Sequence, residues 1–218
     1  LRTPRLHLAM RHATYQPQQP SGHFHDDALA ITLSVDGIPF LIDPGTYLYT
    51  AHPAWRNQLR SGEAHNVLRP INALQHMPSG DLFQMSRATC SPQPVIDENE
   101  TLSQTYEYNG VMMHRTCTIH NEKIIITDYA KAATTTNMKW HLECGIGVTV
   151  EEEDAHTWLL FYQQQPRLRM HSFMPLKQQT SVASRMYGVI TNTAKLTGLT
   201  KAEQSNKMLQ QLSATLLR

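Results

Sequence analysis

The sequence predicts an all-β fold, a large antiparallel β-sandwich with at most short helices. Three observations predict it. The chain is made of short runs in which apolar and polar residues alternate, rich in β-branched and aromatic side chains. Turn-forming residues separate these runs at short spacing. No βαβ rhythm of strands and long amphipathic helices interrupts them. A chain of 218 residues fits one large domain and buries a core without disulfides or metal. Any metal is therefore expected to serve function rather than folding.

The elements follow in order. Leu6 to Ala13 is read as a first strand and Gln16 to Gly22 as a loop. Ala28 to Val35, the Asp36-Gly37 turn and Ile38 to Ile42 make a hairpin. Pro44-Gly45 is a second turn, and Tyr47 to Leu59 is irregular or briefly helical. Strands are predicted over Val67 to Ile71, Asp81 to Thr89, Thr101 to Tyr108, Met112 to His120 and Lys123 to Ala130. Lys139 to Val150, Thr157 to Tyr162, Arg167 to Phe173 and Tyr187 to Thr191 continue the pattern. Glu151 to Asp154 reads as a solvated acidic loop. From Ala202 onward the spacing of Met208, Leu209, Leu212 and Leu216 suits a helix or a last strand.

A formal net charge of +1 excludes nucleic-acid binding by bulk charge but leaves room for local Arg and His to meet an acidic glycan. Cys90, Cys117 and Cys144 are odd in number and far apart, so they form neither a disulfide framework nor a zinc knuckle. No apolar run reaches the roughly 18 residues of a membrane span, and no signal peptide pattern is visible. The first residue is Leu1 rather than Met, as expected of a fragment.

Candidate chemistry gathers between Gly22 and Asn66. In Gly22-His23-Phe24-His25-Asp26-Asp27, two histidines two residues apart share a face of an extended chain. Asp43 ends an apolar strand just before Pro44-Gly45. His65 opens the next strand in Ala64-His65-Asn66-Val67. Each has a plainer reading: surface histidines, a turn-capping aspartate. Together, His25, Asp43 and His65 make a two-His, one-carboxylate set suited to zinc with an open position. Manganese or non-haem iron suits the same set. Trp55, Arg56 and Arg60 lie between these features; guanidinium pairs bidentately with carboxylate or sulfate, and aromatic rings stack on sugar faces. Of Tyr47 and Tyr49, one should face the same cavity as Asp43.

In this order and spacing the segment resembles the heparinase II/III-like family. Gly22 to Leu29 is similar to its GHxHxDAL signature, and Leu41 to Tyr47 to its VDPGTY stretch. Trp55-Arg56-Asn57, Leu59-Arg60-Ser61 and Ala64-His65-Asn66 resemble its WRN, FRS and AHN run. Weaker likenesses follow at Gly110 to His120, at Trp140-His141-Leu142 and at Ser184 to Gly188.

The resemblance implies the second half of a two-part enzyme: residues 1–218 as a single β-sandwich domain, with the N-terminal (α/α) toroid absent from this chain. It implies a lyase that cleaves uronic-acid polysaccharides, such as heparin, heparan sulfate or alginate, by β-elimination. His25, Asp43 and His65 would be the zinc ligands. His23 would face the uronate and assist proton abstraction or charge neutralisation, and Tyr47 would stand near the substrate. Removal of the proton beside the carboxylate is helped by neutralising that carboxylate, a task an imidazole can share as base or cation. The main catalytic Tyr and the Asn/His pair of the toroid have no counterpart here, so the isolated domain is expected to be inactive. A full-length protein of this kind is expected in the periplasm or secreted. Phe24 stands where many relatives have a small residue and is expected to narrow the cleft, and Asp26 adds a carboxylate beside the site.

Two other classes remain. A non-catalytic glycan-binding or surface-polysaccharide assembly module would use the histidines structurally. A cupin-like metal oxygenase or isomerase would place the HxH, carboxylate and later His in a closed barrel.

Overall fold

A computed structural model describes residues 1–12, 23–71, 95–97, 100–108 and 110–217. The strands are β1 (Leu6–Met10), β2 (Ile31–Val35), β3 (Ile38–Leu41), β4 (Leu68–Pro70), β5 (Val95–Ile96), β6 (Leu102–Tyr108), β7 (Val111–His120) and β8 (Lys123–Ala132). They continue with β9 (Thr136–Glu143), β10 (Val148–Asp154), β11 (Thr157–Tyr162), β12 (Gln165–Ser172), β13 (Lys177–Met186), β14 (Val189–Ala202) and β15 (Lys207–Leu216). One α-helix, α1 (Pro53–Arg60), and a 3-10 turn at Gly62–Ala64 lie between β3 and β4.

All pairings are antiparallel and build three sheets, β1-β2-β3, β10-β11-β12-β15-β8-β7-β6-β5 and β13-β14-β9-β4. One continuous apolar core, with Phe40, Trp140, Trp158, Ile124, Ile126 and Leu212 among its members, joins all three. The all-β sandwich is thus the observed architecture. Among the described residues the strands form separate sheets rather than the closed barrel a cupin needs. No helix among them is long and apolar enough to cross a membrane.

The structure corrects several boundaries. Lys139 to Val150 is two strands, because Val148 N–H closes a tight turn on Gly145 O at 3.0 Å. A Cβ on Gly145 would stand 1.9 Å from Pro39 O, so this approach requires glycine. Glu151 to Asp154 is the end of β10, not a loop; its side chains are exposed on an edge strand, where charge discourages sheet-to-sheet pairing.

The tail resolves as β15, between β12 and β8. Its register shifts between Met208 and Gln210, and this bulge turns both Leu209 and Leu212 inward. The three-residue spacing that imitates a helix comes from that bulge. β13 went unpredicted because it is an edge strand, polar over much of its length, without the alternation a half-buried strand shows. The predicted Gln16–Gly22 loop, the Asp81–Thr89 strand and Cys90 lie outside the described residues.

Candidate metal centre

α1 begins with Pro53 in its first turn, where the missing N–H costs nothing. Its inner face is Arg56, Leu59 and Arg60, the i, i+3, i+4 spacing of a stripe turned to the protein. The chain then turns through Gly62–Ala64 and presents His65, whose N–H donates to Gly62 O at 3.3 Å. His25 lies in an irregular segment before β2, not in the strand that the two-residue spacing suggests. That segment is held by Asp26 N–H donating to Arg60 O at 2.9 Å. Asp43 follows β3, and its carboxylate accepts the Gly45 N–H at 2.8 Å.

These three segments bring His25, Asp43 and His65 together. One nitrogen or oxygen from each lies within 4.8 Å of the others, and no other such group of three occurs among the described residues. The rings of His25 and His65 are 5.2 Å apart. His65 Nδ1 is 3.2 Å from Asp43 Oδ2. Two ligands of a tetrahedral zinc, each roughly 2.1 Å from the ion, stand about 3.4 Å apart, so this pair already has the spacing of metal ligands.

The His65 side chain is fully buried, yet neither ring nitrogen makes a hydrogen bond among the described residues. Asp43 stands within ionic contact of Nδ1. A buried imidazole left this way costs about 1–3 kcal/mol, a cost a metal ion would offset. The donor set of two imidazoles and a carboxylate fits zinc, and it fits manganese or iron as well.

Protonation suits the same task. Burial drives the His25 pKa down to about 4, helped by the neighbouring His65 ring and by Arg56 and Arg60, against the pull of Asp43. Burial alone would raise Asp43, but His65, the Gly45 N–H and His25 outweigh it and hold the carboxyl below its ordinary range. Near neutral pH the pair therefore presents a neutral imidazole and a carboxylate, the forms that ligate metal.

Beside the candidate ligands runs a wall of rings. His23 is exposed and meets Tyr49 edge-on at 5.5 Å. Arg56 lies 5.1 Å from the centre of the Tyr49 ring and donates to Thr46 Oγ1 at 3.0 Å. Tyr47 turns instead to Trp55, ring to ring at 5.9 Å. It is Tyr49 rather than Tyr47 that stands against His23. Arg56 and Arg60 are buried, exposed by 0% and 3%. They lie close enough to His25 to act on its charge, so they bear on the cleft as positive field rather than as open guanidinium forks. Phe24 is half-buried and packs against the core. Asp26 lies 3.5 Å from Arg69 and is largely buried, so it adds no free carboxylate to the cleft wall.

The support beneath His65 was not singled out from the sequence. Asn66 Nδ2 donates to Ile31 O at 2.7 Å and to Ile42 O at 3.0 Å, while its Oδ1 accepts the Glu143 N–H. One side chain thus ties β2, the end of β3 and β9 together next to the candidate ligand. Arg115 donates to Asn66 O at 2.6 Å and Leu29 O at 2.7 Å, and pairs with both oxygens of Asp128 at 2.6 and 2.8 Å. Trp140 Nε1 donates to the same carboxylate at 2.7 Å. A signal existed: Arg115 shares the inward parity of Met113 and Cys117, and Asp128 that of Ile124 and Ile126.

The profile of the family described as "Heparinase II/III-like, C-terminal" matches residues 1–198. The chain belongs to this family. Solved structures share the fold of this heparinase II/III-like domain. A heparinase III with methylated lysines is 14% identical, with a TM-score of 0.75 over 96% of this chain and 32% of its own. A heparan sulfate lyase from Pedobacter heparinus is 18% identical, with a TM-score of 0.71 over 89% of this chain and 31% of its own. A further heparinase III is 12% identical, with a TM-score of 0.69 over 90% and 30%. The heparinase II/III-like chain thus spans about a third of the length of these structures. No curated protein matches the sequence.

Proposed function

We propose that this chain is the β-sandwich domain of a polysaccharide lyase that acts on uronic-acid-containing chains by β-elimination. In this reading His25, Asp43 and His65 hold a zinc ion, and His23 faces the substrate uronate. The observation that carries the proposal is the convergence of the three ligand side chains around buried His65, whose ring nitrogens make no hydrogen bond among the described residues. Family membership and the fold shared with a heparan sulfate lyase support the same reading.

The chemistry follows from the residues. β-Elimination removes the weakly acidic proton beside the uronate carboxylate and expels the glycosidic oxygen at the neighbouring carbon. The negative charge that grows on the carboxylate needs neutralisation by groups fixed in advance. His23 takes part in that as cation or base, held against Tyr49. Buried Arg56 and Arg60 add positive potential that attracts an anionic chain without forming rim contacts. Trp55 backs Tyr47, which forms the neighbouring part of the wall. Zinc bound by His25, Asp43 and His65 would supply fixed positive charge and rigid geometry to this side of the cleft.

The remaining catalytic groups are assigned to an upstream (α/α) toroid of the same polypeptide, so residues 1–218 form one domain and half of a cleft. In this reading the acidic polysaccharide is met outside the cytoplasm, so we propose the periplasm or the secreted fraction for the full-length protein.

The test is metal binding by the purified 218-residue chain, followed by elemental analysis and zinc titration calorimetry. One zinc per chain is expected, with affinity falling at least tenfold in His65→Ala and in Asp43→Ala. Absence of stoichiometric binding sinks the metal assignment. Ultraviolet absorbance of unsaturated products released by this chain alone would overturn the division of the cleft between two domains.

A further inference from the structure

The β13–β14 hairpin ends in Met186, Tyr187 and Val189, which are 65%, 64% and 44% exposed. A tip this exposed would ordinarily move freely, but this one is clamped. Ser184 N–H donates to Pro44 O at 2.7 Å and Gly188 N–H to Tyr47 O at 2.9 Å. Ser184 Oγ closes the turn on Met186 O at 2.8 Å. Gly45 has φ +77°, and Ser184 O stands 2.2 Å from where its Cβ would be. The glycine of Asp43-Pro44-Gly45 therefore serves two needs, the left-handed turn and the close approach of the hairpin. The clamp fastens the tip to the loop that supplies Asp43 to the candidate metal centre.

What the clamp holds out is a ring. Tyr187 stacks on Tyr49 with centroids 6.0 Å apart and planes 25° from parallel. Tyr49 in turn touches His23 at 5.5 Å and lies over Arg56 at 5.1 Å. One face of the Tyr187 ring is covered by Tyr49, and its 64% exposure leaves the other face open. Offset stacking within this distance range is the favoured arrangement of two aromatic rings, so the open face has a fixed direction. A rigid phenol ring, open on one side and two ring contacts from a substrate-facing imidazole, matches the C–H face of a pyranose. Ligand sites combine such apolar surface with a few placed polar groups.

We infer that Tyr187 is a sugar-stacking residue. It forms the wall of a subsite next to the ring that His23 faces, and it takes the uncharged face of a neighbouring sugar of an acidic polysaccharide. The inference rests on the reading of this cleft as a site for uronic-acid chains. The division of labour is specific: Arg56, Arg60 and His23 answer the charges of the chain, and Tyr187 answers its ring. Its contribution is therefore insensitive to salt, whereas that of exposed His23 is screened.

The test is titration calorimetry of the 218-residue chain with heparan sulfate and alginate hexasaccharides, at low and high salt. Wild type, Tyr187→Ala, Tyr187→Phe and His23→Ala are compared. Tyr187→Ala is expected to weaken binding about tenfold, by the same factor at both salt concentrations, with an unchanged Tm. Tyr187→Phe keeps the ring and is expected to stay within about twofold of wild type. If Tyr187→Ala binds like wild type while His23→Ala does not, the subsite assignment fails and the cleft stands. Equal losses in Tyr187→Phe and Tyr187→Ala, or a loss confined to low salt, also overturn stacking. If wild type binds neither hexasaccharide, the reading of the cleft fails and takes this inference with it.

Discussion

Two polar clusters sit side by side in this molecule and are built on opposite plans. Around Arg115, Asp128, Asn66 and Trp140, charged and amide groups are buried and bonded to one another or to main-chain carbonyls. Around His25, Asp43 and His65, one buried imidazole has no hydrogen bond among the described residues and the carboxylate is 46% exposed. The clusters adjoin through the peptide that links His65 to Asn66. Polar groups satisfied within the chain hold strands in place. A buried imidazole whose ring nitrogens lack hydrogen bonds is a cost of folding that a ligand can recover. The difference marks one cluster as architecture and the other as a candidate site.

The comparison is broken most severely by removing a charge from the satisfied cluster. Asp128→Ala leaves the Arg115 guanidinium buried without its counter-ion and is expected to cost about 3–5 kcal/mol. The paired replacement Arg115→Met with Asp128→Leu removes both charges and is expected to cost less than Asp128→Ala. Urea denaturation of the three proteins checks the order, and a double variant weaker than the single one contradicts it.

Asn66→Ala comes next. It frees Ile31 O, Ile42 O and the Glu143 N–H together, and is expected to cost about 2–3 kcal/mol. Because Asn66 adjoins His65, the same variant is expected to weaken zinc binding although it holds no ligand atom. Unchanged zinc affinity in a destabilised protein would separate the two clusters after all.

The smallest effect sharpens the comparison through pH. His25 has a folded pKa of about 4, below the ordinary histidine value of about 6.5. The unfolded chain then binds more protons in that interval, so stability of the metal-free protein falls as pH drops from about 6.5 to about 4. Asp43, held below its ordinary range, adds a loss that begins as pH falls through that range. Thermal denaturation across this window, for wild type against His25→Gln, is expected to show a shallower decline in the variant. Parallel curves would mean that His25 is not the group that titrates.

Much of the fold was legible because strand periodicity is local. The β2–β3 hairpin around Asp36-Gly37 and the β7–β8 pair are where alternation and turn chemistry place them. Reading failed where tertiary contacts override the local pattern. The bulge at Leu209 makes a strand look helical, and β13, polar along much of its length, is a strand chiefly because β14 pairs with it. The acidic end of β10 is held by β11 rather than by its own preference.

The sequence by itself determined the all-β class, the turn positions, and the shortlist of His25, Asp43 and His65 through their motif order. Residue types and spacing are properties of the chain, and the family likeness resides in them. Only the tertiary structure decided that those three side chains meet within 4.8 Å, that Tyr49 rather than Tyr47 backs His23, and that Arg56 is buried rather than exposed. It also decided that a hairpin more than 130 residues downstream lays Tyr187 on Tyr49. Such contacts join segments distant in sequence, and they are set by which sheets share a core and by the close approach that Gly45 permits.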